Sequence, residues 1–493
     1  MNRQITRLAV FSVLLLVSLI VATTYWQTWA AAGLADRQDN AIKRVAQFTI
    51  RRGQIYASDG RTVLATNVVK RIDGKTLYFR RYPSRGLASH VVGYSTQSRS
   101  RAGIERSQND YLIASNKSLQ TILDTTLDRL RGATIKGNTL ELTLDASAQE
   151  LANELLVGKC GAVVALEPAT GRLLVMASAP TYDPNLVEGR FGEITGIRGA
   201  CNPAAPLLNR ATDGLYIPGS TFKVVTAAAA LDSGRFTESS TFYDPGYCIE
   251  YGKRVLNYSD QSGPSVYGRV NFRQALQYSI NSVFCQLGNR LGPLVVLDYA
   301  KRFGFYSVPP FDTPTNERVP SGLYKGGKLF RPSKNFQVDA GRLAFGQERM
   351  LVTPLQMAMV AAAIANGGRV MRPYVVARVV SPDRKTISRR KPEDLGQAVR
   401  PETAATLASM METAVQAGTG TAAQISGVRV AGKTGTAETG VAGRNTTSFV
   451  TFAPVEAPRV AIAVILENQD GTGGRTAAPI ARELMQALLS GAG

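Results

Sequence analysis

The feature of this sequence that most constrains its fold is a long uncharged stretch near the N-terminus. None of residues 8–35 carries a charge, and Leu8–Gln27 is long enough to cross a membrane as a helix, because roughly 20 residues span the ~30 Å hydrocarbon core. Trp26 and Trp29 lie near its end, where aromatic side chains favour the membrane interface. The sequence therefore predicts one membrane-spanning anchor over residues 8–28.

The charges before this anchor predict its orientation. Arg3 and Arg7 precede the apolar stretch. Because the cytoplasmic flanks of membrane helices are enriched in Lys and Arg, we expect residues 1–7 in the cytoplasm and residues 36–493 outside the cell membrane. The alanines at 30–32 could instead belong to a signal-peptide cleavage site, so cleavage stays open as an alternative.

Composition excludes several kinds of site. The 493 residues carry 57 Lys and Arg against 37 Asp and Glu, a net charge of +20, which could attract anionic lipid or an anionic wall polymer. No basic helix or zinc finger is visible, so nucleic acid is not an expected partner. His90 is the only histidine and no C-x-x-C occurs, so we expect no metal and no cofactor. The four cysteines leave the disulfide pairing open.

Two units follow the anchor. Residues 36–140 contain short strands at 62–69 and 76–82 between Asp-Gly turns, which indicates a small N-terminal domain. Residues 141–493 begin with a strand, a helix and a two-strand hairpin at 161–180, continue through several helices, and end with three strands and a helix. This order predicts an α+β domain whose central antiparallel sheet is built from both ends of the segment and flanked by helices.

Three short motifs stand in order in the second unit. They are Ser220-Thr-Phe-Lys223, Ser279-Ile-Asn281 and Lys433-Thr-Gly-Thr436, and they match the S-x-x-K, S-x-N and K-T-G set of serine acyl-transfer enzymes that bind penicillin. Single matches carry little weight, since S-x-x-K also occurs at 388–391. The copy at 220 differs because Pro-Gly precedes it and an apolar helix follows.

The first motif pairs a nucleophile with a base. Residues three apart share a helix face, so the Lys223 amine can reach the Ser220 hydroxyl. Serine is a weak nucleophile without such a base, and Lys223 serves only when neutral. Its ordinary pKa of about 10.4 falls with burial or a neighbouring cation, which Lys433 would supply. The alternative is a solvated helix lysine.

The other two motifs would handle protons and substrate. Ser279 can relay a proton to the leaving amine, and Asn281 can bond a substrate amide, although a capped helix break would use the same residues. A further set would line the strand: Gly435 leaves room for a substrate backbone, and the Thr434 and Thr436 hydroxyls with Lys433 suit a carboxylate. An ordinary edge-strand turn is the alternative. The backbone N–H groups of Ser220 and Thr436 form the natural oxyanion hole.

Together these motifs and their surroundings resemble the class B penicillin-binding proteins, the monofunctional peptidoglycan D,D-transpeptidases, most closely the compact PbpA-like type. The resemblance implies a transmembrane helix, a small non-catalytic pedestal over residues 36–140, and a serine β-lactamase-like transpeptidase domain over 141–493. The segments that carry it are residues 51–65, 161–185, 209–231, 352–368 and 431–438.

The family implies a reaction and partners. Ser220 would attack the penultimate D-Ala of a stem peptide, and an amine of a neighbouring stem would take the acyl group. β-Lactams would acylate the same serine, and a membrane glycan polymerase of the RodA/FtsW kind is an expected partner. Two alternatives remain: a D,D-carboxypeptidase that uses water as acceptor, and a β-lactam-binding sensor or scaffold without turnover. The resemblance does not separate roles in cell shape, cell division or sporulation.

Two departures from related enzymes limit the expected chemistry. The E-x-x-L-N motif of class A β-lactamases is absent, and Glu317 is followed by Arg-Val-Pro, so rapid penicillin hydrolysis is not expected. No glycosyltransferase signature precedes the catalytic unit, so a bifunctional enzyme is not expected. His90 is expected to be structural.

Overall fold

The N-terminal stretch forms a single helix. The computed structural model of the chain describes residues 2–25, 47–115, 134–257, 265–438 and 444–491. Within it the Arg3–Tyr25 segment is long and apolar enough to cross a membrane by length and composition, and its apolar side chains are exposed. Trp26 and Trp29, predicted at the membrane interface, lie outside the described residues.

Helices and strands alternate irregularly through the rest of the chain. The helices are α1 (Asn2–Tyr25), α2 (Ser89–Val92), α3 (Gly103–Ser107), α4 (Asn109–Leu112), α5 (Ala146–Leu155), α6 (Phe191–Thr195), α7 (Lys223–Asp232), α8 (Phe272–Gln277), α9 (Asn281–Leu291), α10 (Pro293–Arg302), α11 (Ala340–Ala344), α12 (Pro354–Ala365), α13 (Pro401–Ala417) and α14 (Gly473–Ser490). The strands are β1 (Ile55–Tyr56), β2 (Val63–Ile72), β3 (Lys75–Arg81), β4 (Thr139–Leu142), β5 (Gly161–Leu166), β6 (Leu173–Ala179), β7 (Thr241–Asp244), β8 (Tyr247–Glu250), β9 (Lys253–Leu256), β10 (Gly268–Asn271), β11 (Gly322–Lys325), β12 (Lys328–Leu329), β13 (Met350–Leu351), β14 (Arg369–Met371), β15 (Val376–Val380), β16 (Thr386–Arg389), β17 (Asp394–Gln397), β18 (Ala431–Glu438), β19 (Asn445–Ala453) and β20 (Val460–Gln469).

Local sequence signals explain where several helices begin. The Asp145 carboxylate accepts the Ala148 N–H at 2.9 Å ahead of α5, which satisfies one of the donors that a helix N-terminus leaves open. Asn271 and Gln274 form a reciprocal capping box at α8. Thr353 caps α12, whose first residue is Pro354.

A five-stranded antiparallel sheet organises the second unit. Its strand order is β18-β19-β20-β5-β6, so strands from both ends of the segment meet in one sheet, as the sequence predicts. Alternate residues of β5 face opposite layers: Ala162 and Val164 pack in the core that includes α7 and α12, whereas Val163 and Ala165 pack with α5 and α14. The sheet therefore lies between two layers of helices, and the predicted α+β class is correct.

A second sheet joins the first unit to the second. Its order is β16-β15-β4-β1-β2-β3, with β1 parallel to β4 and the remaining neighbours antiparallel. β15 and β16 come from residues 376–389, far along the chain from β1–β4. The predicted boundary between residues 140 and 141 falls inside β4, so the pedestal is completed by a distant hairpin.

Two residues singled out in the sequence lie between these units. His90 Nε2 is 2.8 Å from the Pro206 carbonyl oxygen, and burial lowers the pKa of this imidazole to about 4. Glu317 accepts the Gly103 N–H with both carboxylate oxygens, at 3.2 and 3.0 Å. Both contacts are structural: they join the α2–α3 region to loops of the second unit.

All four cysteines are paired. Cys160 bridges to Cys201 and Cys248 bridges to Cys285, with Cα atoms 5.2 and 6.5 Å apart respectively. The sequence left this pairing open. The second bridge fastens the β8–β9 hairpin to α9, the helix that begins at Asn281.

A buried ion cluster stabilises the pedestal. The Glu105 carboxylate is fully buried and accepts from Arg52 Nη2 at 2.8 Å and Arg80 Nε at 2.5 Å. Burial by itself would raise the pKa of Glu105, but the charges and hydrogen bonds of the two arginines outweigh burial and lower it. The carboxylate therefore stays ionised inside the protein.

Glu105→Gln is expected to destabilise the chain because it leaves two buried guanidinium groups without their counter-charge. Breaking such a buried pair typically costs about 3–5 kcal/mol of unfolding free energy. Denaturant unfolding of the full chain in detergent measures the loss, with Glu193→Gln as the matched control, since Glu193 pairs with Arg190 at the surface. Equal stability of Glu105→Gln and wild type would contradict the structural role of this cluster.

Candidate active site

Ser220 lies on a tight turn at the start of α7. The sequence predicts a helix from Ser220, whereas the structure has a 3₁₀ turn over Gly219–Phe222 and the α-helix begins at Lys223. Gly219, Thr221 and Phe222 are buried, and Ser220 is the partly exposed member of the turn. The Ser220 side chain is therefore accessible, while the other residues of the turn are buried in the protein.

The three sequence motifs meet around the Lys223 amine. Lys223 Nζ lies 2.7 Å from the Ser279 carbonyl oxygen, 2.7 Å from Asn281 Oδ1 and 3.2 Å from Ser279 Oγ. Lys433 Nζ donates to the same Ser279 hydroxyl at 2.8 Å and to the Thr434 carbonyl at 2.9 Å. Both lysines are fully buried. One serine hydroxyl thus links the two amines.

The predicted contact between the two ends of the first motif is not made. The Ser220 hydroxyl has no side-chain hydrogen bond to any residue that the structure describes, and the three contacts of Lys223 go to Ser279 and Asn281. Instead, the Lys223 amine donates to oxygen atoms of the second motif, on Ser279 and Asn281. Contacts of this kind often form only when substrate is bound.

The surroundings of Lys223 favour its neutral form. Burial, followed by the positive charge of Lys433, lowers the pKa of Lys223 well below its ordinary value. No carboxylate among the described residues forms an ion pair with it. A neutral amine has two N–H donors, which match its two 2.7 Å contacts, and its lone pair is left to accept from a serine hydroxyl.

Ser279 holds a backbone conformation that the sequence does not reveal. Its φ is +58°, in the left-handed region, which costs a residue with a side chain on the order of 1–3 kcal/mol. In this conformation both its carbonyl and its hydroxyl contact lysines. Non-glycine residues with such backbones cluster at functional sites, and here the strained residue is the one that joins the two amines.

Strand β18 packs directly on the serine turn. A Cβ atom at Gly435 would lie 2.3 Å from Ser448 Oγ and 2.8 Å from the Pro218 carbonyl oxygen, and one at Gly219 would lie 2.9 Å from the Thr436 carbonyl oxygen. The glycines therefore permit close contact between turn and strand. This packing explains Gly435 without a substrate, so its substrate contact stays a prediction. The two N–H groups of the expected oxyanion hole, on Ser220 and Thr436, belong to these facing segments.

The strand hydroxyls have protein partners. Thr434 Oγ1 lies 2.6 Å from Thr419 Oγ1, and Thr436 Oγ1 accepts the Gly473 N–H at 3.2 Å. Sequence reasoning missed Thr419. The glycines on either side of it, in the Gly-Thr-Gly run after α13, were the available signal, because such a run marks a close backbone approach.

Both the oxygen and the nitrogen of the Asn281 side-chain amide form hydrogen bonds. Its Oδ1 accepts from Lys223, and its Nδ2 donates to the Leu256 carbonyl at 2.9 Å. The predicted bond between Asn281 and a substrate amide would use the remaining N–H of this side chain.

Two known protein families match most of the chain. The penicillin binding protein transpeptidase domain family matches residues 161–486, and the penicillin binding protein A dimerisation domain family matches residues 52–140. The peptidoglycan D,D-transpeptidase PbpA of Mycolicibacterium smegmatis is 34% identical over an alignment of 507 positions that covers 99% of each chain.

Solved structures that resemble this chain belong to the same kind of protein. Penicillin-binding protein A of M. tuberculosis as a ceftriaxone acyl-enzyme complex aligns with a TM-score of 0.79 and 32% identity over 90% of this chain and 100% of that one. Its penicillin G acyl-enzyme complex aligns with a TM-score of 0.78 and 34% identity over 89% of this chain and 100% of the other. The matched regions include all three motifs, and the chain belongs to the class B penicillin-binding proteins, in their compact PbpA-like type.

Proposed function

We propose that this chain is a serine-type peptidoglycan D,D-transpeptidase that cross-links stem peptides through an acyl-enzyme on Ser220. The observation that carries the proposal is the hydrogen-bonded set of Lys433, Ser279 and Lys223 beside the serine turn. A depressed pKa of a buried lysine next to a nucleophile marks a general base. The naming of its relatives as D,D-transpeptidases supports the same activity.

Acylation follows from this arrangement. Ser220 Oγ attacks the carbonyl carbon of the penultimate D-Ala while its proton passes to neutral Lys223. The developing oxyanion is stabilised by the N–H groups of Ser220 and Thr436. The peptide C–N bond then breaks, and the terminal D-Ala leaves with a proton that Lys223 supplies through the Ser279 hydroxyl.

Deacylation reverses the roles of the same groups. The amine of a neighbouring stem peptide attacks the Ser220 ester, its proton passes back to Lys223, and the serine hydroxyl is regenerated. The positive charge of Lys433 lowers the proton affinity of Lys223, and its hydrogen bond to the Ser279 hydroxyl suits it to proton relay as well. With the hydroxyls of Thr434 and Thr436 it also suits the terminal carboxylate of the donor. Asn281 and the backbone at Gly435 would position the stem peptide.

β-Lactams would acylate the same serine. The M. tuberculosis neighbours are acyl-enzymes with ceftriaxone and penicillin G, and the site described above offers a β-lactam carbonyl the same nucleophile. The α1 helix would anchor the chain, with the pedestal of residues 36–140 and the transpeptidase domain of residues 141–493 outside the cell membrane. There a RodA/FtsW-type polymerase would supply the glycan strands.

Ser220→Ala is expected to abolish covalent labelling because it removes the nucleophile. Intact-mass analysis after incubation with penicillin G should show one drug adduct on wild type and none on Ser220→Ala. Ser388→Ala is the matched control, since Ser388 begins the second S-x-x-K copy and lies exposed, and it should label like wild type. A wild type without an adduct would refute the enzymatic proposal.

The pH dependence of acylation should report on Lys223. Acylation needs the neutral amine, so its rate should fall as pH drops through the lowered pKa of Lys223. Lys433→Met removes a nearby positive charge, so it should raise that pKa and shift the acid limb to higher pH. Stopped-flow acylation measures both profiles, with Lys325→Met at an exposed site as control. An unmoved acid limb in Lys433→Met would exclude this coupling.

The acceptor separates the transpeptidase from a carboxypeptidase. A pentapeptide donor ending in D-Ala-D-Ala, incubated with a stem-peptide amine, should give a cross-linked dimer and free D-Ala. Mass spectrometry distinguishes this dimer from the shortened peptide that hydrolysis yields. Hydrolysis alone, at all amine concentrations, would assign the chain to the carboxypeptidases.

A further inference from the structure

Behind the Ser279–Asn281 motif lies a buried polar cluster that the reaction steps above do not use. Its centre is Asp244, the last residue of β7, which is fully buried. The two carboxylate oxygens accept the backbone N–H groups of Gly246 and Tyr267, each at 2.8 Å. No Lys or Arg of the described residues forms an ion pair with it, so neutral donors alone replace its hydration.

Asn257 and Ser282 complete this cluster. Asn257 Nδ2 donates to both oxygens of Asp244, each at 2.8 Å, and the Ser282 hydroxyl donates to Asp244 Oδ1 at 2.5 Å. Asn257 Oδ1 accepts the backbone N–H of Ser282 at 3.1 Å. All three residues are buried. A fully satisfied buried network of this kind fixes one arrangement of the segments it joins.

The segment it fixes is the start of α9. Ser282 directly follows Asn281, the first residue of that helix. Ile280, the residue at the N-cap, offers no side-chain cap, so the open N–H of Ser282 is satisfied from outside by Asn257. The Asp244 carboxylate also complements the positive end of the helix. The neighbouring Leu256 carbonyl accepts from Asn281 Nδ2.

We propose that Asp244, Asn257 and Ser282 are positioning residues for acyl transfer, an inference that rests on the proposed function. They act through the first turn of α9, which they hold so that Asn281 Oδ1 and both oxygens of Ser279 face the Lys223 amine. Loosening that turn would move the acceptors of Lys223 and break the hydroxyl link to Lys433. The chemistry would slow although no group that contacts substrate has changed.

Ser282→Ala is the most direct test because it removes one hydroxyl and leaves the carboxylate its other donors. The full chain in detergent is acylated with a chromogenic penicillin, and the acylation rate constant is separated from the binding constant. We expect the rate constant to fall about tenfold or more, since small misplacements of catalytic groups have effects of that size, with an unchanged binding constant. Ser282→Thr keeps a hydroxyl and should restore the rate.

A second variant and a control separate positioning from loss of folding. Asp244→Asn keeps the shape but turns an amide N–H toward the cluster's donors, and it should lower the same rate constant. Ser178→Ala removes another buried hydroxyl, which contacts Leu208 and Arg210. It should lower the melting temperature without changing the acylation rate constant.

The outcomes distinguish this inference from the proposed function. Wild type that fails to acylate would refute the proposed function. Wild type that acylates, together with a wild-type rate constant in Ser282→Ala, would refute the positioning role. A rate constant that falls equally in Ser178→Ala, or that Ser282→Thr does not restore, would also refute it, because general destabilisation would then explain the loss.

Discussion

The site depends on one buried amine that lacks a counter-charge. Lys223 is fully buried, and its three polar contacts are all neutral oxygens. Within the part of the chain that the structure describes, the charge that affects its pKa is the positive charge of Lys433. A buried ammonium without an anion is costly, and the group responds by losing its proton. We propose that this neutral amine is the general base that an otherwise unactivated serine requires. In this proposal, burial is what makes Lys223 able to accept the serine proton.

The fold supports this amine from three sides. α7 carries Lys223 one turn beyond the serine, the strained loop before α9 supplies its acceptors, and β18 brings Lys433 to the shared hydroxyl. β18 is an edge strand of the five-stranded sheet, and glycines let it approach the serine turn closely. The polar cluster around Asp244 contacts Ser282 at the start of α9, three residues after the strained Ser279.

Local patterns in the sequence predicted part of the fold and of the site. Contacts between distant segments could not be predicted from such patterns. The caps at Asn271 and Thr353 follow from residue types at short spacing. The order of strands and helices along residues 141–493 predicts an antiparallel sheet built from both ends of that segment. The positive φ of Ser279, the partner of Thr434 and the hairpin that completes the pedestal sheet depend on contacts between distant segments. Gly435 is an example. The motif predicted that this glycine leaves room for a substrate backbone, but the atoms that a side chain there would meet belong to Ser448 and Pro218.

The charge state of Lys223 tests the account most directly. Nuclear magnetic resonance of ¹⁵N-labelled lysine side chains, with Lys223→Arg to assign the signal, reports whether the amine carries a proton. The Lys223 amine of the free enzyme should lose its proton well below the pH at which an ordinary lysine does. An ammonium signal that titrates near the ordinary lysine pKa of about 10.4 would contradict it.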